Sequence, residues 1–159
     1  ALPSALRVLQ VGDSFVAPLQ AGALPEALVE LSLGRRFSKG LGCGVLPPAL
    51  QRLSLGPQFS APLFAGQLPP ALTWLRLGAQ FNHPLGPGLL PPRLRTLHVG
   101  DSFDLPLRRG ALPDSLTHLD FGMCFNQGLP PGVLPTGLLQ LRLGHAFVQR
   151  LAAGSLPEG

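Results

Sequence analysis

The sequence predicts a mostly β fold, a right-handed solenoid whose coils stack to form one parallel sheet. Two observations carry this prediction. A Leu-Pro pair recurs every 22 residues with no insertion or deletion, and spacing of this kind is typical of solenoids, in which each coil contacts only its neighbours. The chain also contains 19 prolines and 20 glycines in 159 residues, which leaves little or no room for an α-helix of ordinary length.

The chain divides into seven repeats and a partial eighth, which we interpret as a single domain. The repeats span residues 2–23, 24–45, 46–67, 68–89, 90–111, 112–133 and 134–155, and residues 156–159 begin another. Solenoids normally carry a polar capping repeat at each end, and neither end shows one here. We therefore expect the chain to be a fragment of a larger protein or to associate end to end.

Each repeat follows the pattern LPxxLxxLxLGxxFxxPLxxGx. The proline of Leu-Pro-x-x-Leu predicts a tight turn or a single helical turn. The alternation in LxLG predicts a short strand whose leucines share one face. The glycine that follows suits either unusual backbone angles or close backbone packing. The far side of the coil, rich in proline, is expected to be extended, polyproline-like or briefly 3₁₀.

Stacking turns each repeated residue into a column. Strands in a sheet lie about 4.8 Å apart, so equivalent leucines from successive coils meet in the interior. The phenylalanines are predicted to form an internal spine of the core, and not an aromatic platform for a ligand. They are Phe15, Phe37, Phe59, Phe81, Phe103, Phe125 and Phe147.

The motif LxxLxLGxxFNxPL, clearest from Leu72 to Leu85, resembles the FNIP repeat, a 22-residue relative of leucine-rich repeats. The best copies read Phe-Asn-His-Pro at 81–84 and Phe-Asn-Gln-Gly at 125–128, and five of the seven repeats lack the asparagine. The resemblance covers Leu2 to about Ser155. It implies a leucine-rich-repeat-like solenoid and an interaction scaffold, of a kind often attached to F-box or kinase-like domains. It provides no catalytic residues to carry over.

Positions that vary between repeats on the open face of the strands are the candidates for binding. Two columns share this face because residues two apart on a strand point the same way. The first column reads Val8, Glu30, Arg52, Trp74, Thr96, His118 and Gln140, and the second reads Gln10, Ser32, Ser54, Arg76, His98, Asp120 and Arg142. From the third coil onward, the candidate partner-binding residues are Arg52, Trp74, Arg76, His98, His118, Asp120 and Arg142.

Trp74 is the predicted anchor of this surface, because Trp and Arg are enriched among the residues that dominate binding energy. The alternative is that Arg52 merely stacks on the indole as a surface cation–π pair. Asp120 falls between His98 and Arg142 in its column and on the same strand as His118. These residues could form a pH-sensitive cluster, although an arrangement that simply separates like charges is the favoured interpretation.

Composition argues against several other functions. The net charge of +4 comes almost entirely from arginine, and the arginine doublets lie at different phases of the repeat, which disfavours a nucleic-acid surface. No nucleophile accompanies His118 and Asp120 in either column, and the glycines follow the repeat instead of forming a phosphate loop. We therefore predict no enzyme activity, no cofactor and no metal site.

The two cysteines favour an intracellular protein. Cys43 and Cys124 fall in the second and sixth coils, on the order of 17–20 Å apart at about 4.8 Å per coil, which is too far for a disulfide. Two free thiols and the lack of an Asn-x-Ser/Thr site are typical of a reducing compartment. The apolar runs are too short to span a membrane.

The sequence thus favours a non-enzymatic protein–protein interaction scaffold that presents its strand face, around Trp74, to a protein partner. Such a module could be the recognition part of a larger adaptor. The alternative is a structural repeat rod that assembles through its uncapped ends.

Overall fold

The computed structural model describes residues 2–157. Ala1, Glu158 and Gly159 lie outside this range, and the last two belong to the predicted partial eighth coil. The described residues form seven strands of three residues each and no helix. The strands are β1 (Val8–Gln10), β2 (Glu30–Ser32), β3 (Arg52–Ser54), β4 (Trp74–Arg76), β5 (Thr96–His98), β6 (His118–Asp120) and β7 (Gln140–Arg142).

The predicted solenoid is confirmed. All seven strands belong to one parallel sheet, in sequence order, and each residue pairs with the residue 22 positions further along the chain. Leu53, for example, lies opposite Leu75. Each strand begins one residue before the first leucine of LxLG and ends before the second, so it is slightly displaced from the predicted LxLG segment.

Three tight turns complete each coil, and the repeat motif supplies a residue to each. In the fourth coil, Leu72 N–H donates to the carbonyl of Pro69, which closes the Leu-Pro-x-x-Leu turn. Phe81 N–H donates to the carbonyl of Gly78, and Leu89 N–H donates to that of Gly86. The third turn contains a glycine at φ between 71° and 84° in every coil, a conformation that other residues rarely adopt.

The glycine after each strand is required for a different reason, the close approach of neighbouring coils. None of these glycines has a positive φ. From the second coil onward, a Cβ atom added to this glycine would lie 1.9–2.5 Å from the carbonyl oxygen of the equivalent glycine in the preceding coil. The sequence left two possible roles for this glycine. The structure shows that close backbone packing is the one it has.

The core contains the predicted columns. The phenylalanines of the five inner coils are fully buried. Their rings stack with centroids 6.1–6.4 Å apart from Phe15 through Phe81 and again from Phe103 through Phe147. Phe121, which replaces a leucine directly after β6, stacks on Phe125 at 3.9 Å between ring centroids. Phe15 and Phe147, in the end coils, are only partly buried because each lacks a neighbour on one side.

The solenoid bends because successive coils are closer together at the strands than at the phenylalanine column. Hydrogen-bonded strands lie about 4.8 Å apart, whereas the phenylalanine rings are more than 6 Å apart. Each coil is therefore a wedge that is narrower at the sheet, and the strand face lies on the concave side of the arc.

A second ladder of hydrogen bonds joins the last four coils on the side away from the sheet. Asn82 Oδ1 accepts a bond from the Asp104 amide, Asp104 Oδ1 accepts one from the Asn126 amide, and Asn126 Oδ1 accepts one from the Val148 amide, at 2.9–3.2 Å. Gln127 Nε2 also donates to Asp104 Oδ1 at 2.9 Å. Asp104 thus takes the place of the missing asparagine, because its carboxylate offers the same acceptor.

Substitution of Gly100 by alanine should destabilise the protein, because the new Cβ would lie 1.9 Å from the carbonyl oxygen of Gly78. We expect a loss of roughly 1–3 kcal/mol or more in the free energy of unfolding, the range typical of overpacking. Gly86→Ala is the control, since nothing lies within 4 Å of that position. Urea unfolding followed by circular dichroism measures both, and equal stability of the two variants would contradict the packing role.

Asp104 should make stability depend on acid pH. Hydrogen bonds from Gln127 and from the Asn126 amide lower the pKa of Asp104 below the ordinary value of an aspartate. A carboxyl with a depressed folded-state pKa contributes stability that is present above the unfolded pKa and is lost as pH falls through the folded pKa. Asp104→Asn retains the acceptor and should weaken this acid dependence. Thermal melts between pH 2 and pH 7 test it, and identical profiles for both proteins would refute the role.

Candidate functional site: the strand face

The candidate site is the concave strand face, which consists of the first and third residues of β1–β7. The in-register pairing lines these residues up in two columns, while the middle leucine of each strand points into the core. The predicted face is therefore present, and all seven candidate residues lie on it: Arg52, Trp74, Arg76, His98, His118, Asp120 and Arg142.

In the first half of this face, Arg52 is held between two neighbours. Its Nε lies 2.6 Å from Glu30 Oε1, and its guanidinium lies 4.9 Å from the centroid of the Trp74 ring. The cation–π pair foreseen as the alternative role of Arg52 is therefore formed. The indole is half-buried, so Arg52 covers part of the surface that a partner could otherwise contact.

In the second half, the contacts continue from the first column to the second. The ring of His98 lies 5.4 Å from that of Trp74, tilted by 55°. His98 Nδ1 lies 3.4 Å from Asp120 Oδ2, and Arg142 Nη1 lies 3.9 Å from the same oxygen. Asp120 thus lies between two basic side chains of its column.

These contacts join into one series that crosses six strands, which we call the pairing chain. Its members are Glu30, Arg52, Trp74, His98, Asp120 and Arg142. Sequence reasoning did not select Glu30, although a signal was present: it is an acidic residue one repeat before Arg52 in the same column. Opposite charges one period apart become neighbours when coils stack.

Two predicted site residues lie outside the pairing chain. Arg76 is exposed, and it makes no ion pair within residues 2–157. His118 is exposed, and its Nδ1 lies 2.9 Å from the hydroxyl oxygen of Thr117 instead of pairing with Asp120 on the same strand.

Depressions of about 230–500 Å³ lie on or beside the strand face. One of about 230 Å³ lies beside Glu30, Arg52 and Trp74 in the first four coils. Another, of about 250 Å³, lies over Leu97 and Leu119 and is bordered by the polar side chains of the last three strands. A third is a groove of about 500 Å³ along the carboxyl ends of the strands, and Arg76 contributes to it. The face thus offers polar and charged groups around shallow recesses.

Neither a metal site nor a membrane span is evident in residues 2–157. No three His, Cys, Asp or Glu side chains converge there as a metal would require. The same residues contain no helix that is long and apolar enough to cross a membrane. Cys43 and Cys124 are both free and exposed.

An in-register parallel sheet on the concave side of stacked, leucine-rich coils defines this chain as a leucine-rich-repeat-like solenoid. The family model for the FNIP repeat matches residues 1–36, 37–80 and 81–124. The chain belongs to the FNIP-repeat family, which confirms the resemblance based on its motif.

A solved structure supports the same fold. The chain is similar to CroV588, whose crystal structure is described as a novel circular LRR protein, with 36% sequence identity and a TM-score of 0.96. The similarity covers 98% of this chain but only 23% of CroV588, so the chain spans about a quarter of that protein's length. No match was found among curated proteins.

Proposed function

We propose that this chain is a non-enzymatic recognition module that binds a protein partner on its strand face, with Trp74 at the centre of the contact. The observation that carries the proposal is the pairing chain. Six side chains contact one another in series on a concave surface, and these contacts reduce the conformational entropy that is lost when a partner binds them.

The composition of the face supports a protein partner. Trp and Arg, the residues most often responsible for binding energy, meet near the middle of the sheet at Trp74, Arg52 and Arg76. Acidic and basic groups alternate along the face, which suits a protein surface of mixed charge better than a polyanion such as nucleic acid. A larger adaptor that carries this module, inside the cell, would be consistent with the proposal.

Replacing Trp74 by alanine and Arg76 by glutamate in one variant should abolish partner capture, because it removes the anchor and reverses the free charge beside it. The measurement is quantitative mass spectrometry of proteins retained from a cell extract by the immobilised chain. Phe64→Ala with Arg108→Glu is the matched control, since both residues are exposed on the turns away from the strand face. Unchanged capture by a folded Trp74 variant would reject the strand face.

A second candidate function is a structural arc that assembles through its ends. Both end coils expose apolar side chains, including Val8, Leu139 and Val148. The wedge shape of the coils supports this candidate, because head-to-tail contacts form a ring when their repeated rotation closes. Since the chain spans about a quarter of a circular relative, roughly four copies would complete such a ring.

Under this second proposal, the purified chain should form a discrete assembly of about four copies, because each end would bury the other. Light scattering across a concentration series measures its mass. Leu139→Glu with Val148→Lys should shift the equilibrium to monomer, whereas the Trp74 and Arg76 variant should have no effect. A monomer at all concentrations would exclude the assembly.

A further inference from the structure

The groove along the carboxyl ends of the strands differs from the rest of the face because its lining contains no member of the pairing chain. We call it the rim groove. Its floor is the start of the second column, where the side chains of Gln10, Ser32 and Ser54 are short or flexible. Arg35 lines it on the outer side and Arg76 lines it in the fourth coil. From the fourth coil onward the same column carries larger side chains, so the short side chains of the floor come from the first three coils.

The rim groove offers hydrogen-bond donors from its side chains. Two backbone amides at this edge are already engaged between coils, as Leu33 N–H donates to Ser54 O and Leu55 N–H donates to Arg76 O. The hydroxyls of Ser32 and Ser54 and the amide of Gln10 make no hydrogen bond within residues 2–157, so they are free to bind carbonyl groups.

The charges in the rim groove are arranged with the positive groups inside. Arg35 and Arg76 make no ion pair within residues 2–157, whereas Arg52 and Arg142 are both paired. Acidic groups mark the two ends of the groove. Asp13 Oδ1 accepts a hydrogen bond of 3.0 Å from the Arg35 amide, and Asp101 lines the groove in the fifth coil. A ligand that carries negative charge at its centre and none at its ends would match this order.

The length of the rim groove sets the size of the ligand. It extends from the first coil to the fifth, which is roughly 19 Å at about 4.8 Å per coil. An extended peptide advances about 3.3 Å per residue, so about six residues would fill it. Alternate side chains of such a peptide lie roughly 7 Å apart on one edge. Arg35 and Arg76 come from coils two apart and have long side chains, so each can reach one of two such groups.

We propose that the rim groove binds an extended peptide of about six residues with two acidic side chains, two positions apart, near its centre. Arg35 and Arg76 pair with the two carboxylates, and Gln10, Ser32 and Ser54 hydrogen-bond to the peptide carbonyls. This inference rests on the proposed recognition function and assigns a chemistry to the partner.

The test is an array of fluorescein-labelled hexapeptides with glutamate at the second and fourth positions, matched to the same peptides with glutamine there. Fluorescence polarisation measures their affinity for the purified chain. We expect a preference for the glutamate series that falls as salt is raised, because the arginines are exposed to solvent. Arg76→Gln should weaken binding at least tenfold, as charged hydrogen bonds of this kind imply. Arg93→Gln, an exposed arginine outside the groove, should leave it unchanged.

Each outcome decides a separate point. Equal binding of both series, no binding of either, or an equal loss for Arg76→Gln and Arg93→Gln would overturn the acidic-peptide proposal. The strand-face function would still stand if Trp74→Ala alone, with Arg76 retained, reduced capture from extract. A series bound only when its acidic residues are replaced by phosphoserine would also overturn the proposal, because it would identify a phosphate ligand.

Discussion

The contact between the glycines that follow successive strands is the constraint on which the structure depends. Carbon and oxygen atoms of neighbouring coils are so close there that no side chain fits between them. This contact brings the strands within hydrogen-bonding distance, and the leucine and phenylalanine columns then fill the interior. A residue with a Cβ at this point would separate two coils and with them two strands of the sheet. The wider spacing at the phenylalanine column then sets the direction in which the stack bends.

The arrangement of side chains on the strand face results from the same stacking of coils. Neighbouring coils bring residues 22 positions apart into contact, so a pattern of charges along the sequence becomes a series of pairs across the sheet. Glu30 with Arg52, and Asp120 with Arg142, are two such pairs. Each exposed pair contributes little to stability. They place the side chains of the concave surface against one another, while Arg76 makes no ion pair within residues 2–157.

Most of the fold could be predicted from the sequence because the period has no exceptions. It determines the register of every strand and places Trp74 opposite Arg52 before any coordinates are known. What could not be predicted depends on the distances between side chains and backbone atoms of neighbouring coils. A repeat pattern contains no distances between coils. It therefore could not decide whether the glycine after a strand served a turn or a close contact. It also could not show which side of Trp74 is covered by His98, or how the coils curve. The role of Asp104 as a substitute for asparagine was likewise hidden, because it requires the direction of one carboxylate oxygen.

The position of the single tryptophan has a practical consequence for work in solution. Trp74 lies midway along the concave surface and touches a guanidinium on one side and an imidazole on the other. The chain has no tyrosine and no other tryptophan, so nearly all of its near-ultraviolet emission arises from this one indole. The unlabelled molecule therefore contains its own optical probe at the centre of the surface where a ligand would be sought.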